Sequence, residues 1–299
     1  MEIKEILDID KEYPEKLKRI SNHPKRLFAV GDVELLHKSS IAIVGSRDAS
    51  EYGKKYAASF ASSMARSNIT VVSGLAIGID SVAHENSMLE EGKTIAVLGS
   101  GFNHIYPKEN NRLFKEIIEN GGLIISEYPP NTIPNLKNFP FRNRIISGLS
   151  MAVLVVEAKF RSGSGITARY AFNQGKEVFC LPHMLDDKNG VGTNNLLKSG
   201  AKLITKPQEI GKYLDVKIVE GKNINKNLSK TNKNIKIKSE QLEKEYQGIY
   251  KILLKGQTSI DMLAQKLNLP IATINAYLTI MEIKGYITSL PGNEVKIKE

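Results

Sequence analysis

Two arginines, an asparagine and two phenylalanines crowd into one stretch, Phe139-Pro140-Phe141-Arg142-Asn143-Arg144, which runs on into apolar Ile145 and Ile146. Guanidinium forks hold phosphates, and a phenyl ring offers a face on which a base can stack. Set in a loop, that combination suits a single strand of nucleic acid. The alternative is that Phe139 and Phe141 anchor a core while the arginines pair with carboxylates such as Glu157. A second cationic turn, Gly45-Ser46-Arg47, closes an apolar run from Ile41. There Gly45 would let a ligand approach the backbone, Ser46 offers a hydroxyl and Arg47 a phosphate fork; an ordinary strand-to-helix turn with a surface arginine fits as well.

Three further turns are rich in glycine. Ser73-Gly74-Leu75-Ala76 leads into Gly78-Ile79-Asp80, where amides could face an anion at a helix start. Asp80 and His84 lie four apart, the spacing of a proton relay or of a packed helix histidine. Arg161-Ser162-Gly163-Ser164-Gly165-Ile166-Thr167 reads as a phosphate cradle before a helix, or as capping by Ser164 or Thr167. No Gly-Lys-Ser/Thr follows, which excludes a nucleotide-hydrolysing P-loop. Gly99-Ser100-Gly101 suggests a dinucleotide site, but His104 occupies the third glycine position and Tyr106-Pro107 replaces a helix start, so no nicotinamide or flavin cofactor is expected. Cys180 is the single cysteine, which rules out an internal disulfide and a multi-thiolate metal site. Neither a metal nor a catalytic residue is expected.

The elements that must carry these turns alternate. Short Val/Ile-rich runs at 41–45, 69–73, 94–99, 123–126, 152–157, 177–181 and 201–204 read as strands, with helical patterns at 51–66, 79–91, 110–119 and 167–174 between them. Strands without polar alternation belong to a parallel sheet covered on both faces. The expected fold is therefore an α/β, Rossmann-like, doubly wound, mostly parallel sheet over residues 39–210, whose carboxyl rim would bind ligand. Residues 1–38 are expected to form a short helical segment, and the Lys/Asn-rich stretch 211–245 a linker. Residues 246–299 show three helical patterns and then two short strands around Pro291-Gly292-Asn293, the outline of a winged helix. The 299 residues carry a net charge of +10. The excess sits in the middle region and the linker, which favours a polyanionic partner or simple solubility. The longest strongly apolar run, Met151–Val156, is too short to cross a membrane, and the amino terminus lacks an apolar secretory core, so a cytoplasmic location without membrane contact is expected.

Taken in order, the blocks IAIVGSR, VVSGLAIGIDSVAH, TIAVLGSGFNHIYPKEN, LIISEYPP, FPFRNRIISGLS, VVEAKFRSGSGITARYAFNQGKEVF and GVGTNNLLKSGA resemble the DprA/Smf (DNA-processing A) family across residues 41–201. The resemblance implies a non-catalytic protein that binds and protects single-stranded DNA, usually as a homodimer. It also implies delivery of that DNA to the RecA recombinase during natural transformation. Carried over block by block, it places Arg47, Ser73, Gly74, Phe141, Arg142, Asn143, Arg144, Ser162, Gly163 and Ser164 against DNA; the turns themselves add Gly45, Ser46 and Thr167. Arg47, Arg142 and Arg144 are expected to converge into one cationic trough. Two positions depart from the family pattern: Gly165 stands for a bulkier apolar residue, and Pro182-His183 for Pro-Gly. A rival resemblance, to nucleotide-cleaving phosphoribohydrolases, fails at Tyr170, where those enzymes carry a glutamate. The third helix of the winged helix, 271–283, has no lysine or arginine, which suits a protein contact better than duplex DNA.

Overall fold

The computed structural model describes residues 2–90, 92–219, 244–254, 256–283, 286–290 and 293–297. It divides into two units, Met1–Gly221 and Lys222–Glu299. The first opens with β1 (Lys4–Leu7), a single helical turn α1 (Glu15–Lys18) and β2 (Arg26–Gly31). Strands and helices then alternate: β3 (Ser40–Val44), α2 (Glu51–Arg66), β4 (Thr70–Ser73), α3 (Ile79–Leu89), β5 (Thr94–Leu98), α4 (Asn111–Glu119) and β6 (Leu123–Ser126). The alternation continues through α5 (Asn138–Leu149), β7 (Ala152–Val155), α6 (Gly163–Asn173), β8 (Glu177–Cys180), α7 (Val191–Lys198), β9 (Lys202–Leu203) and α8 (Pro207–Leu214).

The nine strands form one sheet in the order β1-β2-β6-β5-β4-β3-β7-β8-β9. All pairs from β6 to β9 are parallel, whereas β1–β2 and β2–β6 are antiparallel. Every residue of β3 through β7 is buried. Alternate side chains point to opposite faces of a strand, so Ile41 and Ile43 pack with Phe60, Met64 and Ala83 of α2 and α3. Ala42 and Val44 pack with Ile145 and Ile146 of α5 and Ala168 of α6 on the other face. Both faces are covered, and that is why the strands show no polar alternation. From β3 the chain winds outward to β6, then returns through α5 to β7 on the other side of β3. The strand order reverses between β3 and β7, and the carboxyl ends of those two strands open a crevice.

Four expectations change. Residues 1–38 are not mainly helical: β1 and β2 extend the sheet beyond β6, and Ile6, Leu17, Leu27 and Leu36 join its core. Such short strands pair with a distant partner, which local pattern does not reveal. The Phe139–Arg144 segment is not a loop but the start of α5; Pro140 falls in the first turn, where its missing N–H breaks no helical bond. Helix α6 starts at Gly163, capped by Ser162 rather than Ser164 or Thr167. Helix α8 runs past residue 210, and the linker residues 220–243 lie outside the described residues.

The second unit holds α9 (Lys244–Leu253), β10 (Thr258–Ser259), α10 (Ile260–Leu267), α11 (Ile271–Ile283), β11 (Ile287–Leu290) and β12 (Glu294–Ile297). The strands pair antiparallel in the order β10-β12-β11. Tyr246, Ile249 and Tyr250 meet Leu263, Leu278, Met281 and Val295 in a separate core. Three helices with a small sheet give the winged-helix outline; Gly285, Pro291 and Gly292 lie outside the described residues.

Candidate nucleic-acid interface

A cleft of about 460 Å³ fills the crevice between β3 and β7. The turn after β3 supplies Gly45, Ser46, Arg47 and Asp48; the turn after β7 supplies Lys159, Ser162, Gly163 and Ser164; α5 supplies Phe139, Arg142 and Asn143, and Thr167 lies behind them. Helix α6 points its amino end into this space. Ser162 caps it by accepting a hydrogen bond from the Gly165 N–H at 3.3 Å, and the N–H groups of Gly163 and Ser164 in the same turn have no intrahelical acceptors. The helix dipole adds positive potential at that end. A Cβ on Gly163 would meet nothing within 4 Å, so this turn is open to a ligand. Arg47, exposed on the same cleft, makes no ion pair among the described residues, and its Cζ lies 6.0 Å from the Phe139 ring centroid. The Lys159 ammonium sits 2.7 Å from the Asp48 carboxylate. The site can therefore hold an anion on backbone amides and an exposed guanidinium, beside an aromatic ring.

Beneath the cleft lies a buried polar frame. Arg142 is 5 % exposed; its Nη1 donates to the carbonyl of Gly74 at 2.9 Å and to that of Val97, and its Nε to Asn143 Oδ1 at 3.2 Å. Asp80, at the amino end of α3, accepts from the Gly74 N–H at 3.0 Å. Burial raises the Asp80 carboxyl above its ordinary value, opposed by the Arg142 charge and by the Gly74 amide. Burial likewise lowers the Arg142 guanidinium to about 10. His84, four residues beyond Asp80, is fully buried and lies 2.7 Å from Thr94 Oγ1, whose own proton goes to the Val71 carbonyl. Nδ1 of His84 is therefore the donor, and burial, aided by Arg142, lowers the imidazole to about 3. Neutral His84 packs α3 against β5 and is no relay. Gly74 is small because a Cβ there would lie 2.7 Å from Arg142 Nη2 and 2.8 Å from Asp80 Oδ2.

The three arginines expected in one trough are separated. Arg47 faces the cleft and Arg142 forms its floor, but Arg144 is 2 % exposed on the far side of α5. Its Nη2 lies 2.5 Å from Glu127 Oε1, its Nε donates to the Asn22 carbonyl at 2.8 Å, and its guanidinium stacks 3.8 Å from the Phe141 ring centroid. Residues two apart on a helix point about 200° from each other, so Arg142 and Arg144 cannot share a groove. Phe141 is turned away from the cleft with Arg144. Ser73 is fully buried, and its hydroxyl donates to the Ile43 carbonyl at 2.7 Å. The Ser46 hydroxyl is engaged with the Asp48 backbone, and Gly45 gives room to Ile79 of α3, whose Cγ1 would lie 2.6 Å from a Cβ. Glu157 pairs with neither arginine; it is buried at the start of α2, where the Ser50 N–H and hydroxyl donate to it. Sequence reasoning missed Lys159 and preferred Phe141 to Phe139; the helical register of α5 was the signal that distinguishes the two phenylalanines.

The family model described as DNA recombination-mediator protein A matches residues 4–215, and the DprA winged helix domain matches residues 238–293. Protein Smf of Escherichia coli is 37% identical over 290 residues, covering 96% of this chain and 75% of that protein. The chain belongs to the DprA/Smf family. DNA processing protein DprA of Bacillus subtilis is 44% identical over 211 residues, covering 70% of this chain and 71% of that protein. Two solved structures align well. DprA of Streptococcus pneumoniae gives a TM-score of 0.66 at 40% identity, covering 70% of this chain and 74% of that one. DNA processing protein A of Helicobacter pylori, described by its single-stranded DNA binding mode, gives 0.65 at 33% identity, covering 72% of this chain and 96% of that one.

Of the two departures from the DprA pattern, only His183 has a structural explanation. Gly165 lies in the first turn of α6, where its N–H donates to Ser162 Oγ, and a Cβ there would meet only that oxygen at 3.7 Å, so nothing in the structure explains the glycine. His183 is accommodated by Gly190, on which a Cβ would lie 2.0 Å from the His183 Cβ, and its ring is 2.8 Å from Asp187 Oδ2.

Proposed function

We propose that this DprA/Smf protein binds single-stranded DNA in the β3–β7 cleft, with a backbone phosphate held by the amino end of α6 and by Arg47, and a base resting on Phe139. The observation that carries this reading is the open first turn of α6, which lines the same cleft as the exposed Arg47. Phosphates on helix amino ends, arginine forks and a sequence-tolerant aromatic platform are the parts that single-strand binders use. The solved Helicobacter pylori relative, described by its single-stranded DNA binding mode, supports single-stranded DNA as the ligand.

On this reading the chain performs no chemistry on the strand. It acts in the cytoplasm as a homodimer, shields incoming DNA and passes it to the RecA recombinase during natural transformation. Family membership supports these finer assignments, and RecA filament assembly on single strands, with and without the protein, tests the transfer.

Binding is tested by titrating single-stranded and duplex oligonucleotides across a range of salt. The single strand is expected to bind more tightly, with affinity falling steeply as salt rises. Arg47→Ala is expected to weaken single-strand binding about tenfold or more and to lower the salt slope by about one, with an unchanged melting temperature. A variant that keeps the parent's affinity and slope removes Arg47, and with it this site, from the account.

A further inference from the structure

A second, smaller cavity adjoins the cleft on its β5 side. It holds about 50 Å³ and is lined by Arg47, Gly74, Tyr106, Phe139 and Arg142, among others. Arg47, Phe139 and Arg142 also line the main cleft, so they form the wall between the two spaces. A water molecule takes about 30 Å³ of liquid volume. The small cavity therefore takes a small group, and a phosphate entering it would lie between two guanidinium-bearing side chains.

At its rim stands Tyr106, 43% exposed, with its ring centroid 5.3 Å from that of Phe139 and the planes at 42°. Phe139 is held in place from below: a Cβ on Gly99 would lie 2.7 Å from Phe139 Cδ1. The Gly99-Ser100-Gly101 turn thus has a use unrelated to a dinucleotide. Gly99 seats Phe139, and Gly101 passes so close to the Pro129 and Pro130 carbonyls that a Cβ would lie 2.2 Å from each oxygen. The result is a pair of aromatic rings at an angle, one half-buried and one open to solvent, directly beside a cationic cavity.

We infer that Tyr106 marks a second nucleotide subsite: its ring stacks one base of a bound single strand, while the adjoining phosphodiester enters the small cavity between Arg47 and Arg142. The inference rests on the single-strand reading of the main cleft and extends the path of the strand from α6 toward the end of β5. Tyr106 contributes through the face of its ring, so the hydroxyl is dispensable.

The test compares the full-length parent with Tyr106→Ala, Tyr106→Leu and Tyr106→Phe. Each is titrated with a labelled oligothymidylate and with a strand of equal length built from abasic sites, and each is melted. Alanine and leucine are expected to weaken oligothymidylate binding about 5- to 30-fold, the loss of one stacked base, and to leave abasic-strand binding unchanged. Phenylalanine is expected to match the parent. Leucine keeps an apolar contact with Phe139, so it guards against a variant that fails to fold. Equal affinity of parent and Tyr106→Leu for oligothymidylate overturns the subsite while leaving the main cleft intact, as does an equal loss on both strands. A parent that binds neither strand overturns the cleft reading and the subsite together.

Discussion

The two sides of α5 use the same kind of residue for different ends. On the cleft side, Arg142 gives its Nη1 to the carbonyls of Gly74 and Val97 while lining both the cleft and the small cavity beside it. On the far side, Arg144 is neutralised by Glu127 and covered by Phe141. Among the described residues that line the cleft, only Arg47, on a turn outside the helix, keeps an exposed guanidinium. A cluster of cations in sequence is therefore not a cluster of charge on a surface: the helical period divides it, and burial converts most of it into framework. Among the described residues, the cleft draws its cationic character from exposed Arg47, from Lys159 beside Asp48, and from a helix end, above a buried frame.

The largest effect is expected from removing the frame. Arg142→Met keeps much of the volume but leaves the carboxyl of Asp80 buried without its cation, and removes the donor that joins Gly74 to Val97. Breaking one member of a buried charge network typically costs about 3–5 kcal/mol, so a loss of that order is expected in urea unfolding. Adding Asp80→Asn is expected to recover part of it, because the stranded carboxyl is gone. If Arg142→Met instead unfolds like the parent and loses only DNA, Arg142 belongs to the ligand and the contrast between the sides of α5 fails.

His84 sharpens the same contrast through pH. Its imidazole is lowered to about 3 in the folded chain from an ordinary value of 6.5, so between those values the unfolded chain binds the proton more readily. Stability is fully present above pH 6.5 and declines as pH falls toward 3. Between pH 7 and pH 5 the decline from this one group is about 2 kcal/mol. His84→Asn retains a donor for Thr94 and is expected to flatten that part of the stability profile. An unchanged profile would mean that His84 already carries a proton in the folded state, and that the frame is more charged than its burial allows.

The central sheet was legible because its strands are buried on both faces: Ile41-Ala42-Ile43-Val44 and Ala152-Val153-Leu154-Val155 can be little else. The rim turns followed from the order of strands and helices. What could not be read was orientation. Pro140 and its flanking aromatics look like a turn, yet a proline in the first helical turn breaks no bond, and once α5 starts at Asn138 its register decides which arginine meets the cleft. Whether Arg142 is free or bound depends on Gly74, Asp80 and Val97, brought together from three separate segments. The same holds for β2, whose partner β6 lies about a hundred residues away. Local chemistry names the residues; only the long-range packing assigns them to surface or frame.

The smallest expected effect concerns Phe141, which the sequence presented as the stacking ring. It is 41% exposed and carries the Arg144 guanidinium on its face. Phe141→Ala is expected to lower stability by about 1–2 kcal/mol, because the half-exposed ring covers a buried guanidinium. Single-strand affinity should stay within about twofold of the parent's, because loss of a stacked base would exceed that margin. The two rings of α5 can thus be told apart in one titration: Phe139→Ala should weaken the strand's hold and Phe141→Ala should not. If the order is reversed, DNA follows the far side of the helix, past Glu127, and the open turn of α6 is not where the strand lies.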